Sequence, residues 1–261
     1  MRLVLSIRQR LPRLGTRKLY YLLSEEFNRQ GLQVGRDKLF TILRTSNLLV
    51  PKRRRYTKTT NSRHWMRKYP NRAKEVHIHR PEQVWVSDIT FIETTEGFNY
   101  LHLITDAYSK KIMGYQLSDN MQAGTTLKAL NMALENRIYN DKLMHHSDRG
   151  LQYCSTAYIN RLQQHGIEIS MTEQSDPYEN AIAERVNGIL KDEFGLDENF
   201  SNTRLLKGQV AESVCLYNEQ RPHLSNNMLT PEQMHRQCAI KPRHWRRKRT
   251  GTLESSCSFL S

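Results

Sequence analysis

Three acidic residues stand where acids are costly. Asp88 lies inside the apolar run Trp85-Val-Ser-Asp-Ile-Thr-Phe-Ile92, Asp148 closes Lys142-Leu-Met-His-His-Ser-Asp148, and Glu184 sits in Asn180-Ala-Ile-Ala-Glu-Arg-Val-Asn187. Burying a carboxylate among β-branched and aromatic neighbours costs several kcal/mol unless positive charge compensates it. A bound divalent cation is the compensation that such a trio predicts. Mg²⁺ takes oxygen ligands, keeps several waters and uses one or two carboxylates per ion, so three acids can hold two ions. A pair of ions ~3.5–4 Å apart activates an attacking oxygen and stabilises the leaving one in an in-line phosphoryl displacement. Two dications over three carboxylates also leave a positive surplus that attracts a phosphodiester.

The neighbours of these acids refine the expectation. If the segment around Glu184 is helical, Asn187 and Lys191 share its face, and Lys191 is placed to touch a phosphate near the metals. His145 and His146 are adjacent on a predicted strand and so point to opposite faces, which prevents them from gripping one ion together. Mg²⁺ also disfavours imidazole, so one of the two is expected only to contact substrate or to support a ligand. Asp106, with Ser109 nearby, is expected to cap a turn.

The elements that must position these residues follow from periodicity. Val84–Ile92, Tyr100–Thr105 and Lys111–Gln116 read as three strands at short spacing, with Thr94-Thr-Glu-Gly97 as the first turn. A helix is predicted from Ala123 to Ile138, a short buried strand at Lys142–His146, a helix at Tyr153–His165 stopped by Gly166, and a strand at Ile167–Met171. Helices from about Glu179 to Phe194 and from Leu205 to Tyr217 complete the pattern. The order βββαβαβα predicts an α/β fold, a ribonuclease H-like mixed sheet with flanking helices. Before it, residues 1–50 contain two short helical patterns. Thr16 and Asp37 are candidate caps, Leu19, Leu22, Leu23, Phe27, Leu39, Phe40 and Leu43 are candidate inward residues, and Arg36 and Lys38 are among the exposed cations of a helix-turn-helix-like DNA-binding region.

Charge is distributed unevenly along the 261 residues. Residues 1–80 carry 21 Lys+Arg against 4 Asp+Glu, residues 81–240 carry 13 against 21, and residues 241–261 carry 6 against 1. Basic arms therefore flank an acidic middle, which fits a polyanion held by the arms while the middle supplies carboxylates for chemistry. A ribosomal-type binder would be basic throughout. The expected organisation is a helical region at 1–50, a basic linker at 51–80 that lies along DNA, a catalytic core with C-terminal helices at 81–235, and a basic tail at 236–261. Within the linker, Lys52, Arg53, Arg54 and Arg55 are expected to bind DNA backbone. Cys154, Cys215, Cys238 and Cys257 have no C-x-x-C spacing, so neither a zinc knuckle nor a redox pair is indicated. The absence of any long apolar run predicts a soluble, cytoplasmic protein with no membrane contact.

With these residues in view, the chain resembles the transposases of bacterial insertion sequences, specifically second-frame products with a retroviral-integrase-like core of the DDE class. The resemblance rests on Trp85–Ile92, His146-Ser-Asp-Arg-Gly-Leu-Gln-Tyr153, the stretch from Ser170 through Glu184 to Lys191, and Tyr217-Asn-Glu-Gln-Arg-Pro-His223 with Leu229-Thr-Pro-Glu232, supported by Gly15-Thr-Arg17 and Val34-Gly-Arg36. The 35 residues between Asp148 and Glu184 are the interval characteristic of that class. The resemblance implies that Asp88, Asp148 and Glu184 are the catalytic, metal-binding triad for two Mg²⁺ or Mn²⁺ ions, with Lys191 two helical turns beyond the glutamate. It implies cleavage at the ends of the protein's own element to give a 3′-hydroxyl, followed by attack of that hydroxyl on another phosphodiester, without a covalent enzyme intermediate. Glu179 departs from the Asp that many relatives place before Asn-Ala, at a position outside the triad. The His-His-Cys-Cys zinc domain of retroviral integrases has no counterpart in the spacing here.

Such relatives often work as a fusion to an upstream reading frame that supplies a further helix-turn-helix and a dimerising segment. The expected partners are therefore element ends and target DNA, further copies of the chain on that DNA, and an upstream-frame helix-turn-helix protein as fusion or companion. Nucleoid association in the bacterial cytoplasm follows from the same expectation. Two other readings fit parts of the pattern, a non-catalytic DNA-binding regulator of transposition and a ribonuclease H-type nuclease acting on hybrids.

Overall fold

The structure, a computed structural model, describes residues 1–51, 67–173, 180–198 and 200–240. Lys52, Arg53, Arg54, Arg55, Glu179 and the tail from residue 241 lie outside the described residues. The chain begins with α1 (Arg2–Arg10), α2 (Thr16–Arg29) and α3 (Arg36–Thr45). Leu19, Leu23 and Phe27 of α2 and Leu39 and Leu43 of α3 are buried at helical spacing, as their periodicity predicts. The first helix is not among the elements the periodicity predicts, although Val4 and Leu11 anchor it in the core. Two further expectations need correction. Thr16 and Asp37 are not caps, because Gly15 and Gly35 take the N-cap positions and both acid and hydroxyl fall in the first turn. Phe40 is 38% exposed and lies under the Arg44 guanidinium, 4.8 Å from the ring centroid, because Leu39 and Leu43 already carry the inward stripe.

Five strands follow: β1 (Val84–Thr94), β2 (Gly97–Asp106), β3 (Ile112–Ser118), β4 (Met144–Ser147) and β5 (Glu168–Met171). They form one mixed sheet in the order β3-β2-β1-β4-β5. The first three are an antiparallel meander, whereas β4 and β5 run parallel to β1 after crossovers through α4 (Ala123–Glu135) and α5 (Thr156–Gln164). The remaining helices are α6 (Ala181–Phe194), α7 (Thr203–Glu219) and the short α8 (Pro231–His235), whose start is a capping box between Thr230 and Gln233. The α/β, ribonuclease H-like architecture and its element order thus match the sequence pattern.

Strand pleating divides the core. Ile92, Leu101, Leu103, Ile112 and Leu117 face α6 and α7, while Trp85, Ile104 and Met113 face Ala129, Leu130 and Ala133 of α4 and Tyr158 and Leu162 of α5. Packing of α4 on β3 is close enough to exclude a side chain at Gly114, where a Cβ would fall 2.1 Å from the Ala129 carbonyl oxygen. The N-terminal helices share the first of these two cores with α6 and α7. They are also tied to α6 by charge: Glu193 accepts from Lys18 Nζ at 3.0 Å and from Arg221 Nε and Nη2 at 2.8 and 2.6 Å.

The described part of the basic segment, residues 67–80, is seated on the sheet edge. Tyr69, Ala73, Val76 and Ile78 pack against the core, and the Ser170 hydroxyl accepts from the backbone N–H of Arg72 and Ala73 at 2.9 and 3.2 Å. The close approach at Gly114 yields a stability prediction. Gly114→Ala should lower the free energy of urea unfolding by roughly 1–3 kcal/mol through overpacking, whereas Gly124→Ala, with open space at its Cβ, should be neutral or stabilising by up to ~1 kcal/mol. Equal stability of the two variants would refute the packing account.

Candidate active site

Register alone brings the first two acids together. Val86 of β1 pairs with His146 of the parallel β4, so two residues further along both strands Asp88 and Asp148 reach neighbouring positions on the same face. Strand β4 ends at Ser147, which leaves the edge of β1 open where Asp88 begins to face outward. Helix α6 crosses at that opening. Asn180, its N-cap, donates from Nδ2 to the Ser87 carbonyl at 2.9 Å, and Asn187 donates from Nδ2 to Asp88 Oδ2 at 2.8 Å. Glu184 lies one turn before Asn187 on the same face of α6. Asp148 is shaped by the Asp-Arg-Gly turn, in which the Gly150 N–H donates to Asp148 Oδ1 at 3.0 Å. A Cβ at Gly150 would sit 3.0 Å from that carboxylate oxygen and 2.9 Å from Gln152 Oε1, a tight fit that a side chain there would ease only by shifting these groups.

The charges agree with this proximity. Burial pushes the Asp88 carboxyl up to about 7, the charge of Asp148 adds to the effect and Glu184 adds less, while hydrogen bonds from Asn187 and the Ile89 N–H pull it back. Lys191 is lowered below the usual lysine range by burial, against the opposing pull of Asp88 and Asp192. Its ammonium lies over the Phe91 ring, 4.7 Å from the centroid. The side-chain oxygens of Asn187 and Asn180 are buried with no donor among the described residues. Acceptors therefore exceed donors around Asp88, and every candidate ligand is oxygen. Among the described residues no group of three His, Cys, Asp or Glu side chains is set to hold a metal ion as it stands. The donor set fits a hard divalent cation that fills its shell with water and a phosphate oxygen.

Other expected residues lie elsewhere. His145 is buried beneath the site on the α5 side, where its Nε2 meets Ser87 Oγ at 2.7 Å and Tyr158 OH at 2.9 Å. His146 Nδ1 meets Ser170 Oγ at 2.9 Å. Asp106 caps its turn, accepting from the N–H groups of Glu82 and Ser109, both at 2.8 Å. Arg36 and Lys38 are exposed on α3, and Arg36 pairs with Asp37 at 2.9 Å. Asn180, Gly150 and Phe91 contribute to the site although sequence assigns them no task. The signal for Asn180 is its place at the start of the Glu184 helix.

Comparison with known proteins gives the family. Residues 78–177 match the integrase core domain family, and residues 165–231 match a second integrase core domain model. The uncharacterized 31 kDa protein of insertion element IS600 from Shigella sonnei is 36% identical over 219 residues, which cover 83% of this chain and 79% of that protein. The transposase for insertion sequence element IS629 from Shigella sonnei is 31% identical over 207 residues, covering 79% of this chain and 68% of that protein. The chain belongs to the insertion-sequence transposase family. Among solved structures, the simian T-cell lymphotropic virus intasome in complex with PP2A regulatory subunit B56 gamma matches with a TM-score of 0.53 at 17% identity, over 92% of this chain and 77% of that one. That likeness shows a shared integrase-type fold for this transposase-family chain. No described helix is long and apolar enough to cross a membrane.

The raised Asp88 carboxyl predicts a pH-dependent stability. Its value is about 7 in the folded protein against an ordinary 3.8, so without metal the fold holds a proton that the unfolded chain releases. Stability is then greatest below about pH 4 as far as this group is concerned and falls as pH rises through about 7. Accordingly, Asp88→Asn should raise the metal-free melting temperature at pH 8, at roughly 2–4 °C for each kcal/mol of repulsion relieved. Mg²⁺ should raise that of the wild type and leave the variant nearly unchanged. A lowered melting temperature in the metal-free variant would contradict the crowding of acids.

Proposed function

We propose that this protein is a DNA transposase in which Asp88, Asp148 and Glu184 hold two Mg²⁺ or Mn²⁺ ions and direct strand cleavage and strand transfer at the ends of its insertion sequence. What supports the reading is that Asp88, at the open edge of β1, feels the charges of both Asp148 and Glu184, accepts from Asn187 and acts on Lys191. When bound, the two ions supply activation of the attacking oxygen and stabilisation of the leaving oxygen. The protein's own residues do the positioning. Asn187 orients Asp88 Oδ2, the Gly150 N–H orients Asp148 Oδ1, and Lys191 offers a positive charge to a non-bridging phosphate oxygen.

In the first step a water oxygen bonds to phosphorus, the P–O3′ bond breaks and the element strand is left with a 3′-hydroxyl. In the second, that hydroxyl bonds to a target phosphorus while the target's own P–O3′ bond breaks. One phosphodiester is exchanged for another, so no energy-carrying cofactor is needed. Arg36 and Lys38 on α3, together with Lys52, Arg53, Arg54 and Arg55, are proposed to bind DNA backbone. The substrate has two ends, which calls for at least two copies of the chain, with an upstream-frame helix-turn-helix protein as fusion or companion. The proposed setting is the cytoplasm, on the nucleoid.

Purified protein with its element ends, a target duplex and Mn²⁺ should give 3′-end cleavage and joined products. Asp88→Asn should retain DNA binding and lose more than ~100-fold in joining, beyond the ~10–100-fold loss expected for Asn187→Ala as a supporting residue. Joining that survives Asp88→Asn would end the assignment. Neutralising Lys52, Arg53, Arg54 and Arg55 together should weaken binding to all duplexes alike and lower the slope of log K against log salt by roughly 0.9 for each phosphate left without its cation. An unchanged slope would exclude these four residues from backbone binding.

A further inference from the structure

Behind the catalytic helix lies a second, basic cavity. It has a volume of about 380 Å³ and is lined by Ile182, Arg185 and Ile189 on one face of α6, by Lys18 from α2, by Lys110 from the β2–β3 turn, and by Arg221 and His223 after α7. Residues 182, 185 and 189 follow one another at helical spacing, as do 184, 187 and 191, and a constant offset of two residues turns the two sets about 160° apart. The cavity therefore belongs to a different side of α6 from the three acids. Cationic side chains converge on it from separate parts of the chain.

One carboxylate, Glu193, serves two of these charges. Glu193 pairs with Lys18 at 3.0 Å and with Arg221 at 2.6 Å. The Lys110 ammonium reaches the backbone carbonyls of Ala107 and Tyr108. Arg185 is exposed. His223 is 7% exposed, its ring stands edge-on to Tyr217 with centroids 5.2 Å apart, and its Nε2 is buried without a hydrogen-bond partner. A buried unpaired nitrogen is costly, and it is retained here within a ring of cations. Burial holds His223 well below its ordinary value, with Arg221, Lys18, Lys110 and Arg185 adding to the effect. The neutral ring in its Nε2–H form can donate a hydrogen bond, Arg185, Lys18 and Lys110 can face oxygens of an anion, and Arg221, bound to Glu193, adds its charge from behind.

We propose that the cavity formed by Lys18, Lys110, Arg185, Arg221 and His223 binds a phosphate group. Several non-bridging oxygens, a compact size and a full negative charge are what this lining complements: a guanidinium fork at Arg185, ammonium groups at Lys18 and Lys110, and one neutral donor at His223. A phosphate of a DNA strand passing behind α6 and a free phosphate ester share this chemistry. The second α6 face would in either case feel an anion through the same helix that carries Glu184 and Asn187.

The test uses Arg185→Gln, an exposed change that leaves the Glu193 pairs intact, and His223→Asn as an independent second variant. Inorganic phosphate and pyrophosphate should raise the melting temperature of the wild type in sodium chloride of matched ionic strength, and each variant should lose most of that shift. Asp88→Asn should keep it, because the cavity does not depend on the catalytic acids or on the transposase reading. Binding of a 30-base-pair duplex then separates the sources. A loss of about tenfold in Arg185→Gln, with a salt slope shallower by about one, assigns the cavity to DNA backbone, while unchanged duplex binding with lost phosphate response assigns it to a free phosphate ester. If the wild type shows no phosphate response and neither variant alters duplex binding, the cavity binds no phosphate and the proposal is overturned.

Discussion

Asp88 is pressed toward Asp148 and Glu184 by separate pieces of the chain, and like charges held together at a protein edge favour either a proton or a cation. Parallel register between β1 and β4 supplies the first pair. Helix α6 supplies the third acid and is held in place at its start by Asn180 on Ser87 and in its middle by Asn187 on Asp88. Its last turn is fixed by Glu193, clamped between Lys18 and Arg221. The N-terminal helices and the segment after α7 are thus part of what fixes α6.

This arrangement explains why the acids cluster at one end of the sheet. The sheet is continuous through Val86 and His146, and it splits just beyond them because β4 stops at Ser147. Strand β1 is buried from Val84 to Ser87 and half-buried from Asp88 to Thr90, so the carboxyls can meet solvent and substrate at that opening. The unpaired oxygens of Asn187 and Asn180 belong to the same balance. They leave the edge rich in acceptors, which favours an oxygen-loving cation over a further protein donor.

Much of the fold is legible in the sequence because its periods are clear. The three closely spaced meander strands, the 3.6-residue stripes of α2, α4 and α6, and the strand-to-helix order all survive in the structure, and the family membership agrees with the motifs. What sequence does not reveal has physical causes. Helix α1 is nine residues long, with Val4 as its buried residue, and it packs on α2, so a segment this short announces itself only through a partner. Caps at Gly15 and Gly35 escape notice because glycine provides no side-chain signal for the position. Among the site residues, Asn187 and Lys191 are legible from helical spacing. Asn180, Phe91 and the Gly150 turn are not, because their tasks depend on distant partners brought near by the sheet. The cavity behind α6 is equally hidden, since Lys18, Lys110, Arg185 and His223 come together only in three dimensions.

The central claim is that the three carboxylates form one metal centre. Anomalous scattering from crystals of the protein grown with an element-end duplex and Mn²⁺ tests it most directly. The account predicts two Mn²⁺ peaks about 3.5–4 Å apart, shared among Asp88, Asp148 and Glu184. Peaks at His145, at His146 or nowhere near the open edge of β1 would contradict it.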